Sequence, residues 1–360
     1  MRLGLVGYGA GGRFFHAPFI VAADGVELAG VVTRSPRRRA ELAADYPGVP
    51  VFDSQAELIA AGVDAVTITT PPQTRRDLVL EAVAAGVHVI ADKPFAPTAD
   101  DARALVAAAA EASVVLNVFH NRRWDADIRT LAAVLTRGDV GELWRVESRF
   151  DLDDPATLEA GPQGGLLRDI GSHVVDQALW LLGPAQSVYA ELEWTDLPEG
   201  RTDCGFAVSI THTSGIHSRV SSTKLNRLDE RELRAYGSAG AFVSRGTDVQ
   251  AQAIFAGRRP AELGAAWGYE DESRWGTLHT ADGSKPVPSE RGAYQDYYTQ
   301  FADALRGEAE FPVPGAEAVH TLEVLDAART SADERRVVEI TGEAAEMPTV
   351  AAGDLSRPGQ

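Results

Sequence analysis

A glycine-rich turn near the start of the chain constrains the fold more than any other feature. The short apolar run Arg2–Val6 leads directly into Gly7-Tyr8-Gly9-Ala10-Gly11-Gly12, and residues 13–20 have the composition of a helix start. A strand, the spacing G-x-G-x-x-G and a helix in this order are typical of a dinucleotide-binding turn. There Gly7 permits the bend, Gly9 admits a pyrophosphate and Gly12 lets the helix pack on the strand. The motif alone leaves a structural turn open, because glycine is common wherever the backbone needs a positive φ.

The first half of the chain alternates short β-branched runs with helical segments. Strands are predicted at 2–6, 26–32, 63–69, 87–91 and 114–118, and helices at 36–45, 77–85 and 98–113. Strands that alternate with helices predict a parallel, doubly wound sheet.

The pattern changes after Asn121. Segments 187–194, 205–212, 216–223 and 230–237 alternate apolar and polar residues, which suits an open, mostly antiparallel sheet with one wet face. Residues 256–290 are rich in Gly, Pro, Trp and charge and are expected to be irregular. We therefore predict an α/β protein with a Rossmann domain at 1–122, an α/β substrate and oligomerisation domain at 123–345, and a disordered tail at 346–360.

Composition excludes several classes of partner. The net charge of −18 argues against nucleic acid and anionic membranes, and nearly all of the acidic excess lies beyond residue 125. No apolar run is long enough for a transmembrane helix, and the N-terminus lacks the order of a signal peptide. Cys204 is the only cysteine, so an intrachain disulfide is excluded and a buried apolar role is expected. These features predict a cytoplasmic protein.

The end of the second predicted strand bears on the choice of dinucleotide. An NAD-specific turn places a carboxylate there, but this chain has Val32-Thr33-Arg34-Ser35. A guanidinium between hydroxyls suits a 2′-phosphate, which favours NADP over NAD. Arg37–Arg39 follow closely and fit the exposed face of a helix better than three phosphate ligands.

Two further segments carry groups for acid–base chemistry. Lys93 follows a strand, where ligands of open parallel sheets gather, although most lysines are surface charges. Asp169 and His173 are four residues apart, so one helical turn would place them on one side, with Asp176 a turn further on. An N-cap and a core histidine fit the same spacing. A metal site lacks a third ligand at motif spacing.

Five motifs in order resemble the Gfo/Idh/MocA family (glucose–fructose oxidoreductase, inositol dehydrogenase, rhizopine catabolism), over roughly residues 1–340. They are GYGAGG at 7–12, TPP at 70–72, ADKPF at 91–95, NRRWD at 121–125 and GGLLRDIGSHVVD at 164–176. The resemblance implies hydride transfer between NAD(P) and a sugar, polyol or related hydroxy compound, and a homodimer or homotetramer built through the open sheet. It implies His173 as the acid/base, Asp169 as its orienting or substrate-holding partner, and Lys93 as a proton-assisting residue after a cis bond to Pro94. The expected cofactor-binding residues are Gly7, Tyr8, Gly9, Gly11, Gly12, Thr33, Arg34, Thr69, Thr70, Pro71, Asp92, Lys93 and Asn121, with no metal.

Two departures from the family pattern stand out. Asp92 replaces the usual Glu of E-K-P, and Gln73-Thr74-Arg75 replace a His that often follows TPP, which makes Arg75 a candidate for a phosphate or ribose contact. His16 is expected to be structural, packed among the nearby phenylalanines. Two other functions stay open: a glycoside-cleaving enzyme that retains NAD with no net redox change, and a non-catalytic cofactor-binding sensor.

Overall fold

The computed structural model describes residues 1–161 and 164–341, so the predicted tail at 346–360 lies outside the described residues. The chain divides into two compact units. Among the described residues, the first contains 1–121, 250–268 and 293–318, and the second contains 122–249, 269–292 and 319–341. The first unit thus includes two segments from the last third of the chain besides the range that the sequence predicted.

The first unit is built on a six-stranded sheet in the order β3-β2-β1-β4-β5-β6, with every neighbouring pair parallel. This is the doubly wound order with its switch point between β1 and β4, as the alternation of strands and helices predicted. The strands are β1 (Arg2–Val6), β2 (Glu27–Val32), β3 (Val51–Phe52), β4 (Ala65–Ile68), β5 (His88–Asp92) and β6 (Leu116–Phe119). The helices between them are α1 (Ala17–Ala22), α2 (Pro36–Asp45), α3 (Gln55–Ala60), α4 (Pro72–Ala84) and α5 (Ala99–Glu111).

Helix starts in the first unit follow local capping chemistry. The side chains of Ser35, Ser54 and Thr98 each accept a hydrogen bond from the backbone N–H three residues later. α4 begins five residues before the predicted start, because Pro72 sits at its first turn, where a missing N–H costs nothing. A wide π-helical turn, Gly11–His16, precedes α1.

The second unit is built on a nine-stranded sheet in the order β14-β13-β12-β11-β7-β10-β9-β8-β15. Only β7 and β10 pair in parallel, which confirms the expected open, mostly antiparallel sheet. The strands are β7 (Leu143–Asp151), β8 (Ala185–Leu197), β9 (Gly200–His212), β10 (His217–Thr223), β11 (Glu230–Gly237), β12 (Gly240–Ser244), β13 (Gly276–Thr280), β14 (Gly283–Val287) and β15 (Val338–Glu339). The helices from residue 126 onward are α6 (Ala126–Thr136), α7 (Leu166–Asp169), α8 (Gly171–Leu182), α9 (Val249–Phe255), α10 (Pro260–Leu263), α11 (Gln295–Leu305) and α12 (Gly315–Glu334).

One apolar cluster of the second unit packs α6 and α8 on one face of this sheet. Leu131, Leu182, Leu233 and Phe242 are among its fully or nearly fully buried members. The predicted irregular segment 256–290 is wrong in part, since β13 and β14 form a hairpin at the sheet edge. β14 reads GSKPV and is exposed over four of its five positions, so it has no alternating apolar pattern to reveal it.

Among the described residues, no helix combines the length and the apolar character that a bilayer crossing requires.

Candidate active site

In the glycine-rich turn of the first unit, two of the glycines stand where a side chain would not fit. Gly7 has φ +106°, and a Cβ there would lie 2.7 Å from the Thr69 hydroxyl oxygen. A Cβ on Gly12 would lie 2.2 Å from the Gly7 carbonyl oxygen, so only glycine fits where the helix approaches the turn. A Cβ on Gly9 meets no described atom within 4 Å. Packing within the chain therefore does not require glycine at position 9, whereas the close approach of a pyrophosphate does.

Other predicted cofactor residues border the same strand ends. Thr69 donates from its hydroxyl to the Gly7 carbonyl oxygen at 3.0 Å, and Thr70 and Pro71 lead from β4 into α4. Tyr8 is buried and its hydroxyl donates to Asp45 at 2.9 Å, so only its backbone faces the turn. Asn121 is buried two residues after the end of β6. The residues present fit a dinucleotide.

The arginines after β2 differ in their pairing. Arg37 and Arg38 both bind Glu41, and Arg39 binds Asp53 and the Thr33 carbonyl. Arg34 is exposed, and none of the residues described here pairs with its guanidinium. Arg34 thus remains the one guanidinium of this segment that no carboxylate in the described chain neutralises.

Arg75 holds the segment around Lys93. Its buried guanidinium donates to the Thr70 carbonyl at 2.7 Å, to the Asp92 carbonyl at 2.6 Å and to the Pro94 carbonyl. These acceptors lie on both sides of Lys93, whose bond to Pro94 is cis, as the resemblance implied. The expected contact of Arg75 with a phosphate or ribose is wrong, because burial commits the side chain to protein carbonyls.

Asp92 lies beside the glycine-rich turn, and neighbouring cationic side chains favour the charged form of its carboxyl group. Its Oδ1 accepts from the Lys93 N–H at 2.8 Å and lies 3.6 Å from Nε2 of His16. Burial alone would raise the pKa of Asp92, but His16, followed by Arg75 and Lys93, lowers it to about 2. His16 also lies 2.6 Å from the Tyr298 hydroxyl and stacks against Phe119. His16 is therefore buried and packed against Phe119 and Tyr298. It also stabilises the charge of Asp92, which the sequence did not indicate.

In the second unit, the segment of Asp169 and His173 is anchored at its start by a buried carboxylate. Asp203 accepts from the Leu167 N–H at 2.6 Å and pairs with Arg329 at 3.1 Å. Gly165 has φ +93°, and a Cβ there would lie 2.0 Å from Asp203 Oδ1. The glycine thus lets the chain turn tightly over the carboxylate that fixes the helix start.

α7 and α8 follow almost without a break and carry the predicted acid–base pair. Asp169 ends α7 and His173 lies in the first turn of α8, where it is buried. The N-cap residue of α8 is Ile170, so the alternative reading of Asp169 as an N-cap does not hold. The Asp169 side chain is 44% exposed, and its Oδ2 accepts from the ammonium of Lys224 at 2.8 Å.

Asp176 serves a different purpose from Asp169. Its two carboxylate oxygens accept from Arg123 at 2.9 and 2.7 Å, and both side chains are buried. This bidentate pair joins the NRRWD motif to α8 within the second unit. Asp176 is therefore a structural residue. Across the described ranges 1–161 and 164–341, no group of three or more His, Cys, Asp or Glu side chains is arranged to hold a metal ion.

Sequence reasoning missed Lys224, which follows β10 and lies 55 positions from Asp169. One signal was present in the composition. The chain has only three lysines, Lys93, Lys224 and Lys285, while nearly all its other cations are arginines. Two of these three lysines lie in or against the predicted site segments.

A doubly wound unit with a dinucleotide turn, followed along the chain by a mixed-sheet unit with acid–base side chains, defines a nicotinamide-dependent oxidoreductase as the class of protein. The comparison with family models agrees. Residues 1–120 match the model of an oxidoreductase family with an NAD-binding Rossmann fold, and residues 128–243 match the GFO/IDH/MocA C-terminal domain. The chain belongs to the Gfo/Idh/MocA family of oxidoreductases.

Relatives of similar length support this membership. The oxidoreductase YdgJ of Escherichia coli K12 is 34% identical, with 93% of this chain and 97% of that protein covered. The NADP-dependent scyllo-inositol 2-dehydrogenase IolW of Bacillus subtilis 168 is 27% identical, covering 94% and 95%. The solved structure of protein YPO2259 from Yersinia pestis has a TM-score of 0.86 at 33% identity, covering 95% and 98%. Two further relatives are a D-apiose dehydrogenase of Paraburkholderia graminis and a 1,5-anhydro-D-fructose reductase of Ensifer adhaerens.

Proposed function

We propose that this protein is an NADP-preferring dehydrogenase or reductase of a sugar or polyol, with His173 as the acid/base on the reacting hydroxyl. The observation that carries the proposal is that buried ionic groups hold the backbone beside Lys93, through Arg75, and at the start of the helix that ends at Asp169, through Asp203. His173 follows in the first turn of α8. A sensor without catalysis has no use for this set. When bound, the nicotinamide supplies the acceptor or donor of the hydride.

Each side chain has a task that its surroundings support. The imidazole of His173 can take the hydroxyl proton as a carbonyl forms, or return it in the reverse direction. Asp169, half-exposed and paired with an ammonium, can accept a hydrogen bond from a substrate hydroxyl. Lys93, at the end of β5 beside the glycine-rich turn, can donate to the reacting oxygen and assist the same proton transfer.

The coenzyme choice rests on Arg34. A 2′-phosphate needs a cation that the protein has not already neutralised, and Arg34 fits this better than Arg37, which binds Glu41. Gly7, Gly9, Gly11 and Gly12 would hold the pyrophosphate, with Thr33 next to the ribose. The remaining binding residues are Tyr8 (through its backbone), Thr69, Thr70, Pro71, Asp92, Lys93 and Asn121.

Calorimetric titration with NADPH and NADH tests the coenzyme proposal. We expect tighter NADPH binding to the wild type and a loss of about tenfold or more in that preference in R34D, because a carboxylate would face the 2′-phosphate. The matched variant R37D should keep the preference. Equal affinities for both coenzymes, or an unchanged preference in R34D, would contradict the assignment. Coenzyme that co-purifies and does not exchange would favour the glycoside-cleaving alternative.

We also propose a homodimer or homotetramer that works in the cytoplasm, where a freely exchanging coenzyme is supplied. On β8, Val188 and Ala190 are buried while Tyr189 between them is exposed, so the sheet carries an aromatic group on its outward side. Sedimentation equilibrium tests the assembly. We expect a mass of two or four chains, and a monomer at all concentrations would contradict it.

A further inference from the structure

Lys224 is a buried lysine whose partner is a proposed site residue. Its side chain is 2% exposed, and its ammonium lies 2.8 Å from Asp169 Oδ2 and 3.5 Å from the Thr157 carbonyl oxygen. Lysines are almost never buried to this extent unless they are paired, because an ammonium without partners loses its hydration. The ion pair with Asp169 thus offsets the desolvation cost of burying the Lys224 ammonium.

The two members of this pair differ in their access to solvent. The Asp169 side chain is 44% exposed, whereas Lys224 is closed off by protein. A substrate hydroxyl can therefore reach the carboxylate but not the ammonium. Lys224 therefore does not contact the substrate directly, and Asp169 is the site residue through which it can act.

The backbone around Lys224 is firmly fixed. Its N–H donates to the Cys204 carbonyl at 3.0 Å, which continues the pairing of β10 with β9. The preceding residue, Thr223, donates to the Asp151 carboxylate at 3.1 Å and accepts from the Leu152 N–H at 3.0 Å. The ammonium is consequently presented to Asp169 from a rigid strand end, which is how precise sites are usually supported.

We propose that Lys224 is a positioning residue, which holds the Asp169 carboxylate in one orientation so that it can accept a hydrogen bond from the substrate. This inference rests on the proposed function, in which Asp169 contacts the substrate. It adds to the Asp169 and His173 segment a residue that follows β10 and is distant in the sequence. The ammonium suits this task because it is a compact charge on a long stem.

A mutant cycle in kcat/KM tests the inference, with scyllo-inositol and NADP⁺ as the first probe and other polyols and free sugars after it. The variants are K224M, D169N and the double variant, with K285M as the matched control on the exposed strand β14. If Lys224 acts through Asp169, K224M should lose about tenfold or more in the wild-type background and little in the D169N background. The loss should fall mainly on KM, NADPH binding should be unchanged, and K224R should recover part of the activity.

The outcomes separate the two proposals. Activity of K224M equal to that of K285M, with D169N impaired, would overturn the role of Lys224 alone. Equal losses from K224M in both backgrounds would also overturn it, because a general structural defect does not depend on Asp169. No turnover by the wild type with any polyol or sugar would contradict the proposed function, and the role of Lys224 with it.

Discussion

The glycine-rich turn of the first unit and the segment 164–173 of the second unit are both held rigidly, but by different means. The close packing of the turn requires residues without a side chain, since Gly7 and Gly12 stand where any Cβ would meet other atoms. In segment 164–173, charged side chains from distant positions decide the geometry, with Asp203 binding the Leu167 N–H and Lys224 binding Asp169. The rigid turn of the first unit can therefore be predicted from its local sequence motif. The rigid segment of the second unit cannot, because its partners lie far away in the sequence.

The largest expected effect comes from breaking a buried pair of the second unit. D176N should lower the free energy of unfolding by about 3 kcal/mol or more, because Arg123 would keep a buried charge with half its partner gone. Denaturant unfolding measures this. D100N, which removes a carboxylate that is 92% exposed, is the matched control and should leave the midpoint nearly unchanged. Equal effects of the two substitutions would remove the contrast between buried and surface pairs.

Two glycines of the turn should separate packing from binding. G12A should lower the free energy of unfolding by about 2 kcal/mol or more, because its Cβ would collide with the Gly7 carbonyl. G9A should keep the stability within about 0.5 kcal/mol and still weaken NADPH binding, since its Cβ points into space open in the described chain. Thermal unfolding and calorimetry measure the two effects. Full NADPH affinity in G9A would refute the proposed role of Gly9.

In the first unit, the charged carboxylate of Asp92 also contributes to stability. This contribution should make the stability depend on pH. Its pKa of about 2 lies below the usual value near 3.8, so the unfolded chain binds more protons between these values. The stability from this group is therefore complete above about pH 4 and is lost as the pH falls towards 2. The advantage of the wild type over D92N should shrink by about 2 kcal/mol across this range. A pH-independent difference between the two proteins would contradict it.

The smallest expected effect concerns the support of Lys93. R75M should lower turnover by about tenfold with little change in NADPH affinity, because the carbonyls on both sides of Lys93 would lose their shared donor. The neighbouring Arg76 is exposed, so R76M is the matched control and should behave as the wild type. Steady-state kinetics decide the point. Indistinguishable R75M and R76M enzymes would mean that Arg75 does not position Lys93.

Much of the fold was predictable because it depends on local rules. The alternation of strands and helices predicted the doubly wound sheet, and the caps at Ser35 and Thr98 lie at predicted helix starts. β13 and β14 were missed, and β14 is exposed over four of its five positions, so it has no apolar periodicity. β13 joins the sheet by pairing with β12, and a local sequence pattern does not predict which strands pair.

The site was predictable as motifs but not as contacts. Lys93, Asp169 and His173 stand out by spacing and family resemblance, whereas the partners of the site segments come from elsewhere in the chain. His16 lies 76 positions before Asp92, and Lys224 lies 55 positions after Asp169. Arg75 was a candidate for a phosphate or ribose contact because Gln73-Thr74-Arg75 stand where the family often has a His, yet its guanidinium donates to the carbonyls on both sides of Lys93.

The most direct test of the account measures coenzyme reduction across a panel of polyols and free sugars that begins with scyllo-inositol, for wild type, K93M and H173A side by side. K285M and H279A, at exposed positions of the second unit, are the matched controls. We expect turnover of at least one compound by the wild type and by both controls, and a loss of about 10²-fold or more in K93M and H173A with NADPH binding retained. Turnover by K93M and H173A at the wild-type rate, or no turnover of any compound by the wild type, would contradict it.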